Sequence, residues 1–404
     1  MPLLARSMTH GVAPSPQCGE LVESPVTLSD SSAGGSRPLT VALAVTSRLW
    51  GGAEQQAALL ARGLREGGHS CHIFASRGSP FATRLAAEGF PVATFLGTGR
   101  DLVSLWWIRR HLRRLRPDVL HMNDPHALTS AGLASLGLAI PARVAARHSC
   151  FPIHYASRYG QLCDRVICVI GAVAEVCRRD GIPAEMLRVV HCGSDDRMLC
   201  SGSRQRGRDS LGLSDDQPLL LTVALLNPCK GHAFLLDALP PVIRRHPRLC
   251  LALAGDGETA AALQAQARRL RIDAHVRFLG YRHDIADLLR AADLFVMPSL
   301  TEGFCSVLIE AMLAGLPMVT TAVGGIPEVV GSDGSTADPI AWTVPAGDSQ
   351  ALSAAILEAL ASPQNRSQRG LRGRQRALAQ FTASRLVERT LGVYRELLPC
   401  ETAG

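Results

Sequence analysis

The chain has 404 residues, of which 47% are hydrophobic and 19% charged, and its net charge is +7 at pH 7. This length predicts a globular protein with two domains, because it exceeds what one ordinary hydrophobic core accommodates. Only 4% of the residues are aromatic, which argues against nucleic-acid binding by base stacking, whereas the mild positive charge suits a phosphate-bearing substrate or an anionic membrane surface.

The N-terminal stretch, residues 1 to 38, is rich in Pro, Ser and Gly and lacks the continuous apolar core of a signal peptide. We predict that it is a disordered extension. The longest run without a charge, Ala127 to Ala142, contains Gly, Ser and Pro and is shorter than the roughly 20 residues of a membrane span. We therefore expect a cytoplasmic protein without a membrane-spanning segment.

The first domain is predicted over residues 39–193. Its first apolar run, TVALAVTS, is followed by the glycine turn Gly51-Gly52 and by an alanine-rich helical pattern from Glu54 to Glu66. Four further apolar runs, CHIFAS, PDVLHMND, ARVAARHS and DRVICVI, are separated by helical or glycine-rich stretches. This alternation predicts a parallel sheet that is covered by helices on both faces.

One predicted helix of this domain, in LVSLWWIRRHLRRLRPD, combines an apolar stripe with a basic remainder. The stripe consists of Leu105, Ile108, Leu112 and Leu115. Two interpretations of this helix stay open. Either it only covers the sheet, or its basic face, Arg109 to Arg116, and the Trp106-Trp107 pair contact an anionic membrane, where lipid-linked acceptors reside.

Residues 194–217 are polar and rich in Gly and Ser, which predicts a linker. The alternation then restarts with PLLLTVALL, RLCLALAGDG, HVRFLG, DLFVMPS and PMVTTAV, which predicts a second domain over residues 218–382. Two doubly wound domains in tandem predict a cleft that faces the carboxyl ends of both sheets. The last segment, residues 383–404, carries a helical pattern that is a candidate to pack back on the first domain.

The loops at the carboxyl ends of the second domain's strands are the candidate site. Glu302 lies in the loop after DLFVMPS, and Glu310 lies about two turns into the following helix. The N–H groups at the start of that helix form an anion site, and Lys230 in VALLNPCKGH adds a cation on the opposite wall. Gly255, in the GDG loop, lets the backbone approach a ligand closely. An anion site between two carboxylates predicts a ligand with phosphate and hydroxyl groups, such as a sugar nucleotide.

The order and spacing of these motifs resemble those of the retaining glycosyltransferases of the GT-B fold, family four. The resemblance rests on EGFCSVLIEAMLAGLPMVTTAVGGIPEVV, preceded by KGH, AGDGE and VRFLGYRHDIADLLRAADLFVMPS, and on GGAEQQAALLARGLREGGH and LRVVHCGSDD in the first half. It covers about residues 40 to 395. It implies an α/β protein with the GT-B fold, in which two Rossmann-like doubly wound domains face a central cleft.

The resemblance implies roles for Glu302, for Glu310 and for the start of the helix that carries Glu310. Glu310 would bind the ribose hydroxyls, and Glu302 would bind the hydroxyls of the transferred sugar. The backbone N–H groups of Phe304, Cys305 and Ser306 would bind the sugar and the phosphate.

The resemblance also implies roles for residues on the other walls of the cleft. Lys230 would neutralise the leaving diphosphate, and Gly51-Gly52 would let the first domain's backbone approach it. His148, in ARHSC, matches the family's histidine beside the reacting sugar. Tyr281 and Arg282 lie where the family holds the nucleotide base.

Three features depart from the family pattern. The arginine that accompanies the lysine is missing from both of its usual positions, here Leu225 and Asn227. Cys192 replaces the usual asparagine of the turn in HCGSDD, and Cys305 replaces the usual glycine after the glutamate-glycine-phenylalanine. The missing guanidinium removes a phosphate contact of about 1.5 to 3 kcal/mol, so either another cation substitutes or donor binding is weaker.

Plainer interpretations of the single residues stay open. The two glutamates would then be capping or surface charges, His148 a core histidine and Lys230 a solvated surface lysine. The spacing of the candidate metal ligands does not match that of a closed metal site; these candidates are His121, His126, His148, Cys150 and His154. We therefore expect no metal and no other cofactor.

The expected function is the metal-independent, retaining transfer of a sugar from a nucleotide-diphosphate sugar to a hydroxyl acceptor. The acceptor would be a saccharide or a lipid-linked molecule in envelope polysaccharide, lipopolysaccharide or glycolipid synthesis, reached from the cytoplasm at the inner face of the membrane. Two alternatives stay open: a GT-B sugar-nucleotide epimerase or hydrolase, and a non-catalytic GT-B binding or partner subunit. No nucleic-acid partner is expected.

Overall fold

The computed structural model describes residues 37–195, 201–335 and 338–399. The predicted N-terminal extension lies outside these residues, apart from its last two positions. Within them, the chain forms two parallel sheets with helices on both faces, which confirms the prediction of two doubly wound α/β domains. All strands of the first sheet lie within residues 39–193, and all strands of the second lie within residues 218–382.

The first sheet has the strand order β3-β2-β1-β4-β5-β6-β7. Its strands are β1 (Thr40–Val45), β2 (Ser70–Ser76), β3 (Val92–Phe95), β4 (Val119–Met122), β5 (Ala142–Arg147), β6 (Arg165–Cys168) and β7 (Leu187–Val189). The α-helices between them are Gly52–Glu66, Pro80–Ala87, Leu102–Leu115, Pro125–Ser135, Ser157–Leu162 and Gly171–Arg179, and Ala184–Met186 is a 3-10 helix. The central strands β1 and β4 are almost wholly buried, because helices cover both faces.

The second sheet has the strand order β10-β9-β8-β11-β12-β13. Its strands are β8 (Leu219–Val223), β9 (Cys250–Ala254), β10 (Val276–Gly280), β11 (Leu294–Met297), β12 (Met318–Thr321) and β13 (Ala341–Val344). The α-helices in this half are Arg204–Ser210, His232–Arg245, Ala260–Arg269, Ile285–Ala291, Ser306–Leu313, Ile326–Val330, Ser349–Ala361, Pro363–Gln380 and Ala383–Arg395, with 3-10 helices at Pro228–Lys230 and Asp273–His275.

The predicted linker, residues 194–217, contains the helix Arg204–Ser210, which packs against the helix Ile285–Ala291. Gly207 permits this contact, because a Cβ atom there would lie 2.3 Å from the carbonyl oxygen of Asp287. Arg208 is fully buried and donates to the carbonyl oxygens of Ser214 and Ala291. The second half of this segment therefore belongs to the second sheet's domain.

The C-terminal helix Ala383–Arg395 packs against the helix Gly52–Glu66 of the first domain. A Cβ atom on Gly63 would lie 2.3 Å from Val387 Cγ2, so glycine brings the two helices close together. Tyr394 is fully buried, and its hydroxyl lies 2.8 Å from His121 Nδ1. The chain thus returns to the first domain after completing the second.

Candidate active site

The candidate site lies where the chain order of the second sheet reverses, between β8 and β11. Doubly wound sheets bind ligands at this point, because the connections of the two strands leave in opposite directions and open a crevice. Lys230 follows β8 and Glu302 follows β11, and the Lys230 Nζ atom lies 2.5 Å from Glu302 Oε1. The Glu302 carboxylate also accepts a 3.0 Å hydrogen bond from the Ser299 hydroxyl. The two charged residues therefore form an ion pair at the crevice.

The glycine after Lys230 brings these two loops together. Gly231 has a φ of 66°, and a Cβ atom there would lie 2.0 Å from the carbonyl oxygen of Pro298. The Leu300 N–H donates to the Cys229 carbonyl oxygen at 2.8 Å. The Lys-Gly pair is thus required for the loops to meet, because a side chain at 231 would separate them.

Lys230 is the only lysine in the sequence, since every other member of the 42 basic Lys and Arg residues is an arginine. Its side chain is 21% exposed. Lysine presents a compact charge on a flexible stem, whereas arginine presents a planar fork of donors. The use of lysine only at position 230, together with its mostly buried side chain, argues against the interpretation of Lys230 as an ordinary solvated surface residue.

Glu310 lies on the helix Ser306–Leu313, most of which is buried in the core. Burial raises the pKa of the Glu310 carboxyl from 4.5 to about 7. Within the described ranges, no side chain or backbone group donates a hydrogen bond to it or forms an ion pair with it. A carboxylate in this state keeps its full capacity to accept hydrogen bonds from a ligand's hydroxyl groups.

The start of the same helix carries the predicted N–H donors at Phe304, Cys305 and Ser306. The first N–H groups of a helix have no partner within the helix and favour an anion. Burial raises the pKa of the Cys305 thiol well above its usual value, so the thiol stays neutral. Phe304 packs edge-on against Phe381, with ring centroids 6.4 Å apart. This arrangement leaves Cys305 with a backbone role and no thiolate nucleophile.

His148 follows β5 and faces the second domain. A Cβ atom on Gly303 would lie 3.0 Å from the His148 carbonyl oxygen, so the carboxyl ends of the two sheets meet here. His148 Nε2 lies 3.2 Å from Asn123 Oδ1, while Asn123 Nδ2 lies 3.4 Å from the Ala53 carbonyl oxygen. These partners assign the imidazole proton to Nε2 and leave Nδ1 as an acceptor. Burial, partly offset by Asp124, lowers the pKa of His148 to about 4, so the ring is neutral.

The Gly51-Gly52 turn follows β1, at the point where the first sheet reverses its order between β1 and β4. The Gly51 N–H donates to the Glu54 carboxylate at 2.9 Å, which closes the first turn of the helix. In the part of the chain that the structure describes, no heavy atom outside the immediate chain lies within 4 Å of a Cβ atom built on Gly52. The space at this turn is therefore open to a ligand.

The positions that lack the family's arginine lie in the same loop as Lys230. The Leu225 side chain is 65% exposed. The Asn227 Oδ1 atom is buried and has no hydrogen-bond partner among the described residues. A Cβ atom on Gly255, whose φ is 143°, would lie 1.9 Å from the Ala224 carbonyl oxygen. The steric need for glycine at 255 thus comes from the protein's own backbone, which fixes the loop that carries Leu225.

The two residues predicted at the nucleotide base differ in their surroundings. Tyr281 is 70% exposed and lies edge-on to His283, with ring centroids 4.9 Å apart. The Arg282 guanidinium donates two hydrogen bonds of 2.7 and 2.5 Å to the Asp284 carboxylate. Tyr281 is therefore accessible to a ligand, whereas Arg282 is already paired.

Two of the histidines that the sequence offered as metal candidates, His121 and His148, line one cavity but bind different partners. His121 pairs with the Tyr394 hydroxyl, and His148 with Asn123. Across residues 37–195, 201–335 and 338–399, no group of three or more His, Cys, Asp or Glu side chains could hold a metal ion. In the same residues, no helix combines the length and the apolar character that crossing a bilayer requires.

Two residues that the sequence reasoning did not select belong to this cleft. Asn123 ends the predicted strand PDVLHMND, so its place at a carboxyl end was a signal that could have identified it. Glu328, in GGIPEVV, binds Gly171 and His191 of the first domain. No local pattern predicts those partners, because they lie 157 and 137 positions away.

Comparison with known proteins agrees with this geometry. The model of the family Glycosyltransferase Family 4 matches residues 50–197, and that of Glycosyl transferases group 1 matches residues 203–376. The structure of Anabaena HepE in complex with UDP covers 89% of this chain and 100% of its own, with a TM-score of 0.78 and 21% identity. At this identity the likeness shows the fold.

Two sequence relatives are similar over part of the chain. An uncharacterized glycosyltransferase of Methanocaldococcus jannaschii is 30% identical over 48% of this chain and 52% of its own. A GDP-mannose-dependent alpha-(1-6)-phosphatidylinositol monomannoside mannosyltransferase of Mycolicibacterium smegmatis is 36% identical over 44% of this chain and 47% of its own. The matched region spans about half the length of these curated relatives. Because the two family models together match most of the chain, it belongs to the group 1 glycosyltransferases of family four, and it has the GT-B fold.

Proposed function

We propose that the protein transfers a sugar, with retention of configuration, from a nucleotide-diphosphate sugar to a hydroxyl acceptor. The observation that carries this proposal is the Lys230–Glu302 ion pair at the reversal point of the second sheet. The pair supports the proposal because it sets a cation, which suits a diphosphate, beside a carboxylate, which suits sugar hydroxyls. The half-buried Glu310 on the adjoining helix, whose pKa is raised by desolvation, supplies a second acceptor for hydroxyl groups.

In this proposal each residue binds a different part of the donor. Glu310 accepts hydrogen bonds from the ribose hydroxyls, and Glu302 accepts them from the transferred sugar. The N–H groups at the start of the Ser306–Leu313 helix bind the diphosphate, and Lys230 stabilises the charge that develops as it leaves. Tyr281, which is exposed, packs against the base.

The reaction that we propose needs no covalent nucleophile. The buried Cys305 thiol is neutral, and the His148 ring is neutral with its proton on Nε2. In the proposed step the bond between the anomeric carbon and the diphosphate oxygen breaks through an oxocarbenium-like state. The acceptor hydroxyl oxygen then bonds to the same face of the sugar, and its proton passes to the leaving diphosphate. Catalysis comes from positioning and from Lys230 and the helix N–H groups, which supply the positive charge in place of a metal ion.

The acceptor in this proposal is a saccharide or a lipid-linked molecule at the cytoplasmic face of the membrane. The mycobacterial relative is a phosphatidylinositol monomannoside mannosyltransferase by name, which supports a glycolipid acceptor. The helix Leu102–Leu115 supports a membrane contact, because Arg110, Arg113 and Arg114 are exposed beside the 60% exposed Trp106. Arg109 instead donates to the carbonyl oxygens of Ala134 and Leu136 and anchors the helix.

The test begins with a thermal-shift screen of nucleotide-diphosphate sugars, including uridine and guanosine donors. Donors that stabilise the protein are then incubated with lipid-linked and free saccharide acceptors, and the anomeric configuration of the product is read by NMR. Retained configuration supports the proposal. Free sugar or an epimer in the absence of acceptor identifies a hydrolase or epimerase, and failure to bind any nucleotide identifies a non-catalytic subunit, for which the exposed Leu225 in place of arginine would be the cause.

A further inference from the structure

The carboxylate of Glu328 joins the two domains with both of its oxygen atoms. Glu328 lies on the helix Ile326–Val330, after β12 of the second sheet. Its Oε2 atom accepts a 2.8 Å hydrogen bond from the Gly171 N–H, and its Oε1 atom lies 2.6 Å from His191 Nε2. Gly171 follows β6 and His191 follows β7, so both partners belong to the first domain.

The partners of His191 fix the direction of this contact. His191 Nδ1 lies 3.1 Å from Nη1 of Arg389, on the C-terminal helix. A guanidinium only donates hydrogen bonds, so Nδ1 is the acceptor and the proton of the neutral ring sits on Nε2. His191 therefore donates to Glu328, and both carboxylate oxygens act as acceptors.

Glu328 also caps a helix of the opposite domain. Gly171 is the first residue of the helix Gly171–Arg179, and a carboxylate is favoured at a helix N-terminus. A Cβ atom on Gly171 would lie 2.8 Å from Glu328 Oε2. The short contact thus depends on the absence of a side chain at 171.

The segment that carries Glu328 also supports the candidate active site. The preceding residue pair, Gly324-Gly325, turns against the loop of Glu302 and Gly303. A Cβ atom on Gly324, whose φ is 53°, would lie 1.8 Å from the Glu302 carbonyl oxygen, and the Gly325 N–H donates to the Gly303 carbonyl oxygen at 3.1 Å. Gly303 in turn abuts His148 of the first domain.

We propose that Glu328 is a positioning residue, which by binding Gly171 and His191 holds the Gly324-Gly325 turn so that Glu302 and His148 face each other across the cleft. This inference rests on the proposed function for its kinetic consequence. Glu328 does not touch the donor in this arrangement. Its loss should therefore disturb the alignment of the two domains while the second domain keeps its own nucleotide contacts.

The test compares Glu328→Gln with the parent and with Glu175→Gln. The Gln amide keeps the size of the side chain, but it has one acceptor oxygen for the two donors that the Glu328 carboxylate binds. Glu175 is the control because it lies on the Gly171–Arg179 helix in a solvent-exposed pair with Arg178. We expect E328Q to lower kcat by about tenfold or more, with the Kd for the nucleotide diphosphate changed by less than about threefold. Small-angle X-ray scattering of the unliganded variant should show a larger radius of gyration, and E175Q should match the parent in all three measurements.

A second variant reaches the same contact from the other domain. Gly171→Ala pushes against Glu328 Oε2 while it leaves the carboxylate in place, and should reproduce the E328Q phenotype. The combined E328Q/G171A variant should be no worse than the more impaired single variant, because both remove one contact.

The results that overturn the inference are distinct from failure of the proposed function. Scattering of E328Q equal to that of the parent overturns it, as does a parallel loss of kcat and nucleotide affinity. If the parent transfers no sugar, the proposed function fails, and the scattering comparison alone decides the role of Glu328.

Discussion

The Nζ atom of Lys230 lies 2.5 Å from the Oε1 atom of Glu302, across the point where the second sheet reverses its strand order. Before any ligand enters, the site therefore holds its positive charge against a carboxylate whose side chain is only 7% exposed. A diphosphate would share this cation with Glu302. The following predictions test that arrangement and its surroundings.

Lys230→Ala should lower kcat by about 100-fold or more, because the arginine that would share the developing charge is absent at Leu225 and Asn227. Steady-state kinetics with a saturating donor measures the effect. The matched control is Arg248→Gln, which removes a cation from the exposed pair with Asp216 in the same domain. Near-parental turnover of the Lys230 variant would mean that another group stabilises the diphosphate.

Glu310→Gln should weaken nucleotide binding and remove part of its pH dependence. The pKa of Glu310 is raised by burial to about 7, so the parent's carboxyl gains a proton as the pH falls below that value. Protonation removes the charged acceptor, and affinity should then fall by up to about tenfold per pH unit. Calorimetric titrations of both proteins between pH 6 and 8 separate this effect from the titration of the phosphate, and identical pH profiles would refute the ribose assignment.

The same residue predicts a gain in stability. Burial raises the pKa of the Glu310 carboxyl in the folded protein from 4.5 to about 7. The folded state therefore binds the proton more tightly than the unfolded state. The stabilisation that this proton provides is full below the unfolded-state pKa of 4.5 and is lost as the pH rises through about 7. Glu310→Gln removes the buried charge and should stabilise the unliganded protein at pH 8 by on the order of 1–3 kcal/mol. The difference in Tm between variant and parent should grow from pH 5 to pH 8. A constant difference would contradict the buried state of the carboxylate.

The exposed arginines of the Leu102–Leu115 helix should control membrane binding. Replacing Arg110, Arg113 and Arg114 with glutamine should release the protein from anionic liposomes, since each basic residue near such a surface contributes about 1 kcal/mol. Flotation at low salt is the measurement, and added salt should release the parent as well. The triple variant of the exposed Arg244, Arg245 and Arg268 is the control with an equal change in charge. Equal flotation of both triple variants would leave the helix as a cover for the sheet.

Substitution by alanine should affect stability differently at two glycines of the candidate site. Gly255→Ala would place a methyl group 1.9 Å from the Ala224 carbonyl oxygen at a φ of 143°. It should therefore lower the free energy of unfolding by on the order of 2–4 kcal/mol. Gly52→Ala has open space and lies in the first turn of a helix, so Tm should not fall. If the donor approaches this turn, G52A should still raise the donor KM. An unchanged KM would remove the turn from the donor site.

The strands and the site loops could be predicted because their signals are local. Each buried strand is a short apolar run, and Lys230, Glu302 and His148 each follow such a run, which places each of them at the carboxyl end of a strand in its own parallel sheet. The helix Arg204–Ser210 could not be predicted, because its packing face is made by Gly207 and Arg208. Neither residue gives the apolar periodicity that marks a helix. Gly207 packs closely against the distant Asp287, and Arg208 is buried because the carbonyl groups of Ser214 and Ala291 accept its hydrogen bonds.

The partners of the site residues could not be predicted for a related reason. The ion pair joins positions 72 apart, and the Glu328 contacts join positions more than 130 apart. Spacing in the sequence carries no information about which of many carboxylates meets a given cation. The raised pKa of Glu310 likewise follows from the surroundings of its helix, which the sequence shows only as an apolar stretch around one glutamate.

The solitary lysine has a practical consequence for chemical work on this protein. Reagents that modify amines, such as active esters and aldehydes, find a single ε-amino group in the whole sequence, and it belongs to the ion pair with Glu302. Coupling through amines would therefore attach a dye or a solid support inside the cleft, apart from any reaction at an α-amino group. The same property makes the extent of labelling at Lys230 a direct reporter of occupancy, since a bound diphosphate would shield the only side-chain target.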